Sequence, residues 1–229
     1  LPEMIERGLR KKFFKYKICT IHAFCRSKLL KKELISYADY LNLCAENSGF
    51  KAQRTTPSEF NNSKHKFFKF LNDAFGQGKT IKEHWNSLRE TSSIYHPYNN
   101  FRMITEMKEV YDNYKKVNQM CDYDDMIADF INNAVDPDID VLIVDEAQDS
   151  NVPQLQALKK MSTNVKEYYM VGDADQTIFE FSGANADYFH KLSKGAQQLD
   201  QGFRCGETIN SLCKKIIQPI WDYYGYERI

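Results

Sequence analysis

Apolar positions along the chain change their period several times, and each change predicts an element. Residues 141–144 read Val-Leu-Ile-Val, a short unbroken apolar run bounded by Asp140 and Asp145. Three of the four are β-branched, which predicts a buried central strand rather than a helix. Residues 167–171 predict a second apolar strand and residues 197–203 a third, with residues 16–21 a further candidate. Elsewhere the spacing is helical. Residues 2–14 form a basic amphipathic pattern, with Met4, Ile5, Leu9 and Phe13 on one face. Residues 20–25 cross from the strand candidate into another helix. From residue 33 to about 116 the pattern is helical, broken near 47–49, 55–58, 76–78 and 96–100, and is expected to be an all-helical insertion. Asp122 to Ile127 opens a helix with acids at its positive end. Residues 151–161 predict a helix that tolerates Pro153 in its first turn, and residues 207–217 a closing one. Strands alternating with helices imply an α/β fold with a parallel sheet flanked by helices.

The central strand ends in Asp145-Glu146-Ala147-Gln148-Asp149. Charges are costly inside such a strand but are accommodated at its carboxyl end, where open α/β sheets bind ligands. An aspartate there can hold Mg²⁺, and the next glutamate can orient or deprotonate an attacking water, as in nucleotide hydrolases. A plain acidic turn after a buried strand is the alternative, so the rest of the chain has to decide.

Composition narrows the class. At 229 residues, 42% hydrophobic and 27% charged, the chain fits one large domain or two small ones. It holds no apolar run near the roughly 20 residues of a membrane span and no signal-like start, so a cytoplasmic protein without a membrane partner is expected. Its six cysteines form no C-x-x-C pair, which points to a reducing compartment without a zinc site. A net charge of zero conceals an asymmetry. Residues 1–120 hold 22 Lys and Arg against 12 Asp and Glu, whereas residues 121–229 hold 9 against 19. A basic half suits phosphates and an acidic half suits a metal-nucleotide site; two solvated faces that neutralise each other are the plainer account.

Three more stretches align with the acidic strand end. They are Thr20-Ile21-His22-Ala23-Phe24, the run from Val171-Gly172-Asp173-Ala174-Asp175-Gln176 through Phe179-Glu180-Phe181 to Ala184, and Gln201-Gly202-Phe203-Arg204. With Asp145 to Asp149 they resemble motifs Ib, II, III and IV of UvrD/Rep-type superfamily 1 DNA helicases, in the family's order. Tyr123-Asp124-Asp125-Met126-Ile127 resembles the segment before motif II, and residues 2–14 resemble the tail of motif Ia. The resemblance implies a RecA-like P-loop NTPase fold with a helical insertion. Its domain map is residues 1–32 and 119–200 for domain 1A, 33–118 for a 1B-like insertion, and 201–229 for the start of domain 2A.

The resemblance also implies roles. Asp145 would hold Mg²⁺ on ATP and Glu146 would act on the water. Gln176 would be the sensor that couples nucleotide state to DNA, and Arg204 would reach the γ-phosphate and stabilise transition-state charge. Phe179 and Phe181 would stack on single-stranded bases, unless both side chains are core. Thr20, His22 and Phe24 would lie along the same DNA path, unless Thr20 is a helix cap and Phe24 is buried. Glu180 and Ser182 stand where the family often has Gly or Arg, and Gly202 and Cys205 replace the usual Asn and Ser around the arginine.

Gly76-Gln77-Gly78-Lys79-Thr80 imitates the end of a phosphate loop, but Asp73 stands where the full spacing needs glycine. The preceding residues have helical spacing, and the stretch follows the motif Ib match instead of preceding it. The true loop is therefore expected upstream of Leu1, with motifs V and VI downstream, so that this chain alone would be inactive. The expected activity of the parent is ATP-dependent unwinding of partially duplex DNA and 3′-to-5′ translocation on single strands, in repair or replication. The helicase portion of a RecB- or AddA-type helicase-nuclease and a non-hydrolysing DNA-binding module are the alternatives.

Overall fold

Thr20 shows how the described chain begins. Its backbone is extended and its Oγ1 accepts the Ala23 N–H at 3.2 Å, which caps α1 (Ile21–Ser27). This computed structural model describes residues 16–28, 32–47, 66–91, 101–133, 138–177, 183–184, 186–197, 199 and 205–224. The expected helix over 2–14 and most of the expected strand over 197–203 lie outside them. No strand forms over residues 16–20, where Tyr16 and Ile18 are exposed.

Four helices carry the middle of the described chain: α2 (Tyr37–Glu46), α3 (Lys66–Gly76), α4 (Ile81–Thr91) and α5 (Phe101–Val117). Ser36 and Asp39 form a capping box at the start of α2. The helices close around Leu43, Phe67 and Ile104, all fully buried, with Tyr40, Phe68, Phe70, Trp85, Met107 and Tyr111 around them. Phe67, Phe68 and Tyr111 meet edge to face at 5.2–6.1 Å between centroids, the arrangement that ring quadrupoles favour. The expectation of an all-helical segment from residue 33 needs one correction. A two-residue strand β1 (Glu33–Leu34) pairs in parallel with β2 (Met120–Cys121), so the segment enters and leaves side by side. Two residues carry no readable period, which is why the pattern missed the ladder.

A second core forms where strands and helices alternate. After β2 come α6 (Tyr123–Asn133), β3 (Val141–Val144), α7 (Val152–Met161), β4 (Glu167–Met170) and α8 (Ala186–Leu192). β3 and β4 are parallel, with Val141 opposite Glu167 and Val144 opposite Met170, and α7 is the crossover between them. Leu142, Val144 and Met170 turn toward Ile127, Phe130, Leu155, Leu158 and Met161, a core that Cys25 of α1 also joins. The opposite face is uncovered: Val141 is 45% and Ile143 68% exposed. The run expected to be buried on both faces is thus buried on one, because among the described residues the helices of this core pack on the Leu142 and Val144 side alone.

His190–Ile229 forms a separate compact unit. Its helix α9 (Glu207–Tyr224) runs past the expected end at 217 and contains Pro219. Proline lacks the N–H that the preceding turn would bond. The apolar spacing of Ile209, Leu212, Ile216, Ile220 and Tyr223 nevertheless continues across it, and all five are exposed.

Candidate active site

The site is built at the carboxyl ends of β3 and β4. Their pairing continues one step beyond the strands: Val171 N–H donates to Val144 O at 2.8 Å, and Ala147 N–H donates to Val171 O at 3.0 Å. This zipper holds the residues after β3 beside those after β4. Asp145 and Glu146 emerge exposed at the strand end. Glu146 has φ 52° and ψ 43°, the left-handed region, which costs a residue with a Cβ about 1–2 kcal/mol. Its N–H donates to Asp145 Oδ1 at 3.1 Å. A 3₁₀ turn over Ala147–Asp149 then leads into α7, whose Asn151 and Gln154 form a capping box.

Gln148 lies beneath the acids with 2% of its surface exposed. Its Nε2 donates to Glu146 Oε2 at 2.9 Å, and its Oε1 accepts the Asp173 N–H at 3.0 Å. The orientation of the amide is fixed chemically, since a backbone N–H can only donate and a carboxylate can only accept. Gly172 makes room for it: a Cβ there would lie 2.5 Å from Gln148 Oε1 and 2.8 Å from Phe189 Cζ. The Asp173 side chain carries the connection further. Its Oδ1 accepts the Asp175 N–H at 3.1 Å, and its Oδ2 accepts Gln176 Nε2 at 2.9 Å. Glu146 and Gln176, singled out separately in the sequence, thus belong to one hydrogen-bonded chain through Gln148 and Asp173.

Asp149 adds charge to this end of the sheet. Burial and the neighbouring Glu146 both push its carboxyl above the ordinary range, and its Oδ1 is buried without a hydrogen-bond partner. A hard cation such as Mg²⁺ prefers oxygen ligands, keeps several waters and takes one or two carboxylates beside phosphate oxygens. The exposed carboxylate of Asp145 fits that donor set, whereas no group of three or more potential ligands occurs among the described residues.

The predicted DNA-path residues fall in two groups. Thr20 is the cap of α1. Phe24 packs on the strand core and meets Phe130 edge to face at 6.0 Å. His22 meets Tyr123 edge to face at 5.5 Å, and burial lowers its pKa. Lys17 and Lys28, which flank the motif residues, stand 5.5 and 5.7 Å from the Phe24 ring centroid. Phe179, Phe181 and Arg204 lie outside the described residues.

The glycine-rich stretch at 76–80 is the turn from α3 to α4. The N–H groups of Gln77, Gly78 and Lys79 donate to Asp73 O, Phe75 O and Ala74 O, and that of Thr80 donates to Glu83 Oε2. These four amides are spent on a helix end and a helix start, so none is turned toward a phosphate, in keeping with rejecting this stretch as a phosphate loop.

Beyond the strand ends, Lys115 is 7% exposed and its Nζ sits 2.7 Å from both Asp122 Oδ2 and Asp125 Oδ2. The sequence marked these acids as helix-terminal and gave no sign of Lys115, because a lysine in a basic helix reads as solvated. Gln148 was visible inside the quoted motif, but only the strand pairing shows which groups its two ends meet.

Comparison with known proteins adds the context. A family model described as the UvrD/REP helicase N-terminal domain matches residues 1–197. A probable DNA helicase II homolog of Mycoplasma capricolum is 33% identical over 84 residues, 34% of this chain and 12% of that protein. The ATP-dependent DNA helicase Rep of Buchnera aphidicola subsp. Baizongia pistaciae is 41% identical over 54 residues, 24% of this chain and 8% of its own length. Its counterpart from Buchnera aphidicola subsp. Schizaphis graminum is 27% identical over 117 residues, 45% of this chain and 18% of its own length. The chain therefore spans less than a fifth of these relatives.

Proposed function

The chain belongs to the UvrD/REP helicase family, and from that premise we propose that it carries the metal- and water-handling part of an ATP-dependent DNA helicase. The observation that supports this most is the β3–β4 zipper, which sets Asp145 and Glu146 beside Asp173 and Gln176 at one sheet end. A RecA-like domain uses that place for phosphate chemistry. Relatives are named ATP-dependent DNA helicases, and the same activity is proposed for the protein that contains this chain. Residues 33–118 would act as the 1B-like insertion and 201–229 as the start of domain 2A.

Asp145 would hold Mg²⁺, and the ion would supply charge neutralisation at the β- and γ-phosphates of ATP. Glu146 accepts a proton from the attacking water or orients it. Gln176, released from Asp173, reaches the phosphate edge and reports its state. Arg204 faces the γ-phosphate by resemblance. Thr20, His22, Phe179 and Phe181 line the single-stranded DNA path beside Lys17 and Lys28, with Phe24 supporting it from the strand core, and 3′-to-5′ movement on partially duplex DNA is the proposed outcome. No helix among the described residues is long and apolar enough to cross a membrane.

The test is Glu146→Gln in the complete protein. Mg²⁺-ATP binding is expected to persist, and turnover to fall about 10²–10⁴-fold, as when a general base is removed. Near-parental ATPase activity would end this assignment.

A further inference from the structure

We infer that Gln148 is a positioning residue for hydrolysis, holding the Glu146 carboxylate in place and tying it to the segment that bears Gln176. The inference rests on Glu146 being the residue that acts on water. Glu146 is exposed on a left-handed backbone, and an exposed glutamate side chain samples many rotamers. In the described structure its carboxylate has a fixed donor, Gln148 Nε2 at 2.9 Å. Gln148 is itself locked, because it is 2% exposed and its other end takes the Asp173 N–H. Gly172 lets the amide lie against the backbone of that segment. One carboxylate oxygen of the exposed Glu146 is thereby held. A chemical group kept within a fraction of an ångström of its productive place gains rate chiefly from that placement.

The arrangement also has a direction. Any displacement of the Asp173 backbone moves the Gln148 acceptor contact and, through the same rigid amide, the donor on Glu146. The Gln176 amide is bonded to the Asp173 side chain, so its departure toward a phosphate would be felt by Glu146 without any change in β3. Gln148 touches neither water nor nucleotide in this scheme and acts only through Glu146.

A double-mutant cycle in the complete protein tests this. Gln148→Met keeps the length of the side chain and removes both bonds. Gln148→Glu keeps an acceptor for Asp173 but replaces the donor that Glu146 needs. Both are expected to lower ATPase kcat about 10–100-fold, as when a partner that orients an active-site ligand is lost, with KM for ATP near the parental value. Single-turnover hydrolysis is then measured in a Glu146→Gln background. There Gln148→Glu should cost nothing further, because the residue it positions is already disabled. An additive loss in that background, or near-parental kcat for Gln148→Glu, overturns the inference and leaves Gln148 a support for the Asp173 segment alone. Full turnover in Glu146→Gln alone would instead overturn the reading of Glu146. If Gln148→Met fails to fold in a thermal melt, the isosteric Gln148→Glu variant carries the comparison.

Discussion

Gly183 lies so close to Gly76 that a Cβ on Gly183 would sit 2.7 Å from the Gly76 carbonyl carbon and 2.8 Å from its Cα. The two belong to different parts of the described structure. Gly76 ends α3 of the helical segment, whereas Gly183 follows the Gln176 stretch and leads into a single antiparallel bridge between Ala184 and Asn151. The helical segment therefore rests by backbone contact on Gly183. Movement of either must be accommodated by the other, since packed backbone deforms little.

Gly183→Ala should accordingly be costly on two counts. Its φ of +92° disfavours a Cβ, and the added methyl would meet backbone that cannot swing aside. Gly195 provides the control, because its φ is +81° and nothing lies within 4 Å of its Cβ position. Gly195→Ala should cost about 1–2 kcal/mol from conformation alone, and Gly183→Ala clearly more. Thermal melts of both variants check this, and equal shifts would mean that the contact yields without cost.

Lys115 is expected to be a stability residue despite its charge. Its ammonium lies between Asp122 and Asp125, with the Tyr111 ring centroid 4.4 Å away, and the Tyr111 hydroxyl donates to Asp122 Oδ2 at 3.1 Å. Burial alone would push the Asp122 carboxyl up, yet Lys115 holds it below its ordinary range. Lys115→Met leaves two acids facing each other and should destabilise the fold by about 3–5 kcal/mol. Denaturant unfolding checks the loss. Adding Asp122→Asn should restore part of it, and no restoration would point to packing rather than charge.

The same cluster predicts a pH dependence of stability. Burial, then Asp122 and Asp125, raise the Asp124 carboxyl to about 8, against the opposing pull of Lys115. Asp125 is raised as well, first by burial and then by Asp122. A carboxyl whose folded pKa is raised binds its proton more tightly when folded. Above about pH 4 the unfolded chain gives up a proton that the folded chain keeps, so stability falls as pH rises toward about 8 and then levels off. Asp122 acts in the opposite sense, and its contribution is lost as pH falls below the ordinary carboxylate range. Melting temperatures at about pH 5 and about pH 8 should differ more for the parent than for Asp124→Asn. An identical pH response in the two would remove Asp124 as the cause.

How much of this was legible in the sequence differs by element. β3, β4 and α7 were readable, because an apolar β-branched run and a Pro-tolerant helix start leave strong local signals. The placement of Asp145, Glu146 and Gln176 just after two paired strands was readable, because each follows an apolar run. Long-range contacts were not. Gln148 acquires its role from Asp173, 25 residues away, and Lys115 from acids on the next helix; such meetings are decided by packing rather than local period. The β1–β2 ladder was too short to carry any pattern. The strand expected over residues 16–21 does not form among the described residues, where Thr20 instead caps the helix that starts at Ile21.

The last prediction concerns Phe24, where two accounts of one side chain separate cleanly. Its ring packs on the strand core against Phe130, and the ammonium groups of Lys17 and Lys28 stand near it. A base stacks on an aromatic face that is open, whereas core and cations already occupy the surroundings of this one. Lys17 also bonds Ser27 Oγ at 3.0 Å, which holds its charge over α1. Binding of phosphates by the lysines is therefore the expected use of this surface in the complete protein. Phe24→Leu should keep most of the packing and leave single-stranded DNA affinity near the parental value. Lys17→Ala combined with Lys28→Ala should weaken binding for all base sequences alike. The dependence of log K on log salt should flatten by about 0.7 for each phosphate that is no longer neutralised. If instead Phe24→Leu weakens DNA binding by about 1–3 kcal/mol with an unchanged melting temperature, the ring is a stacking surface, and the lysines serve only to surround it.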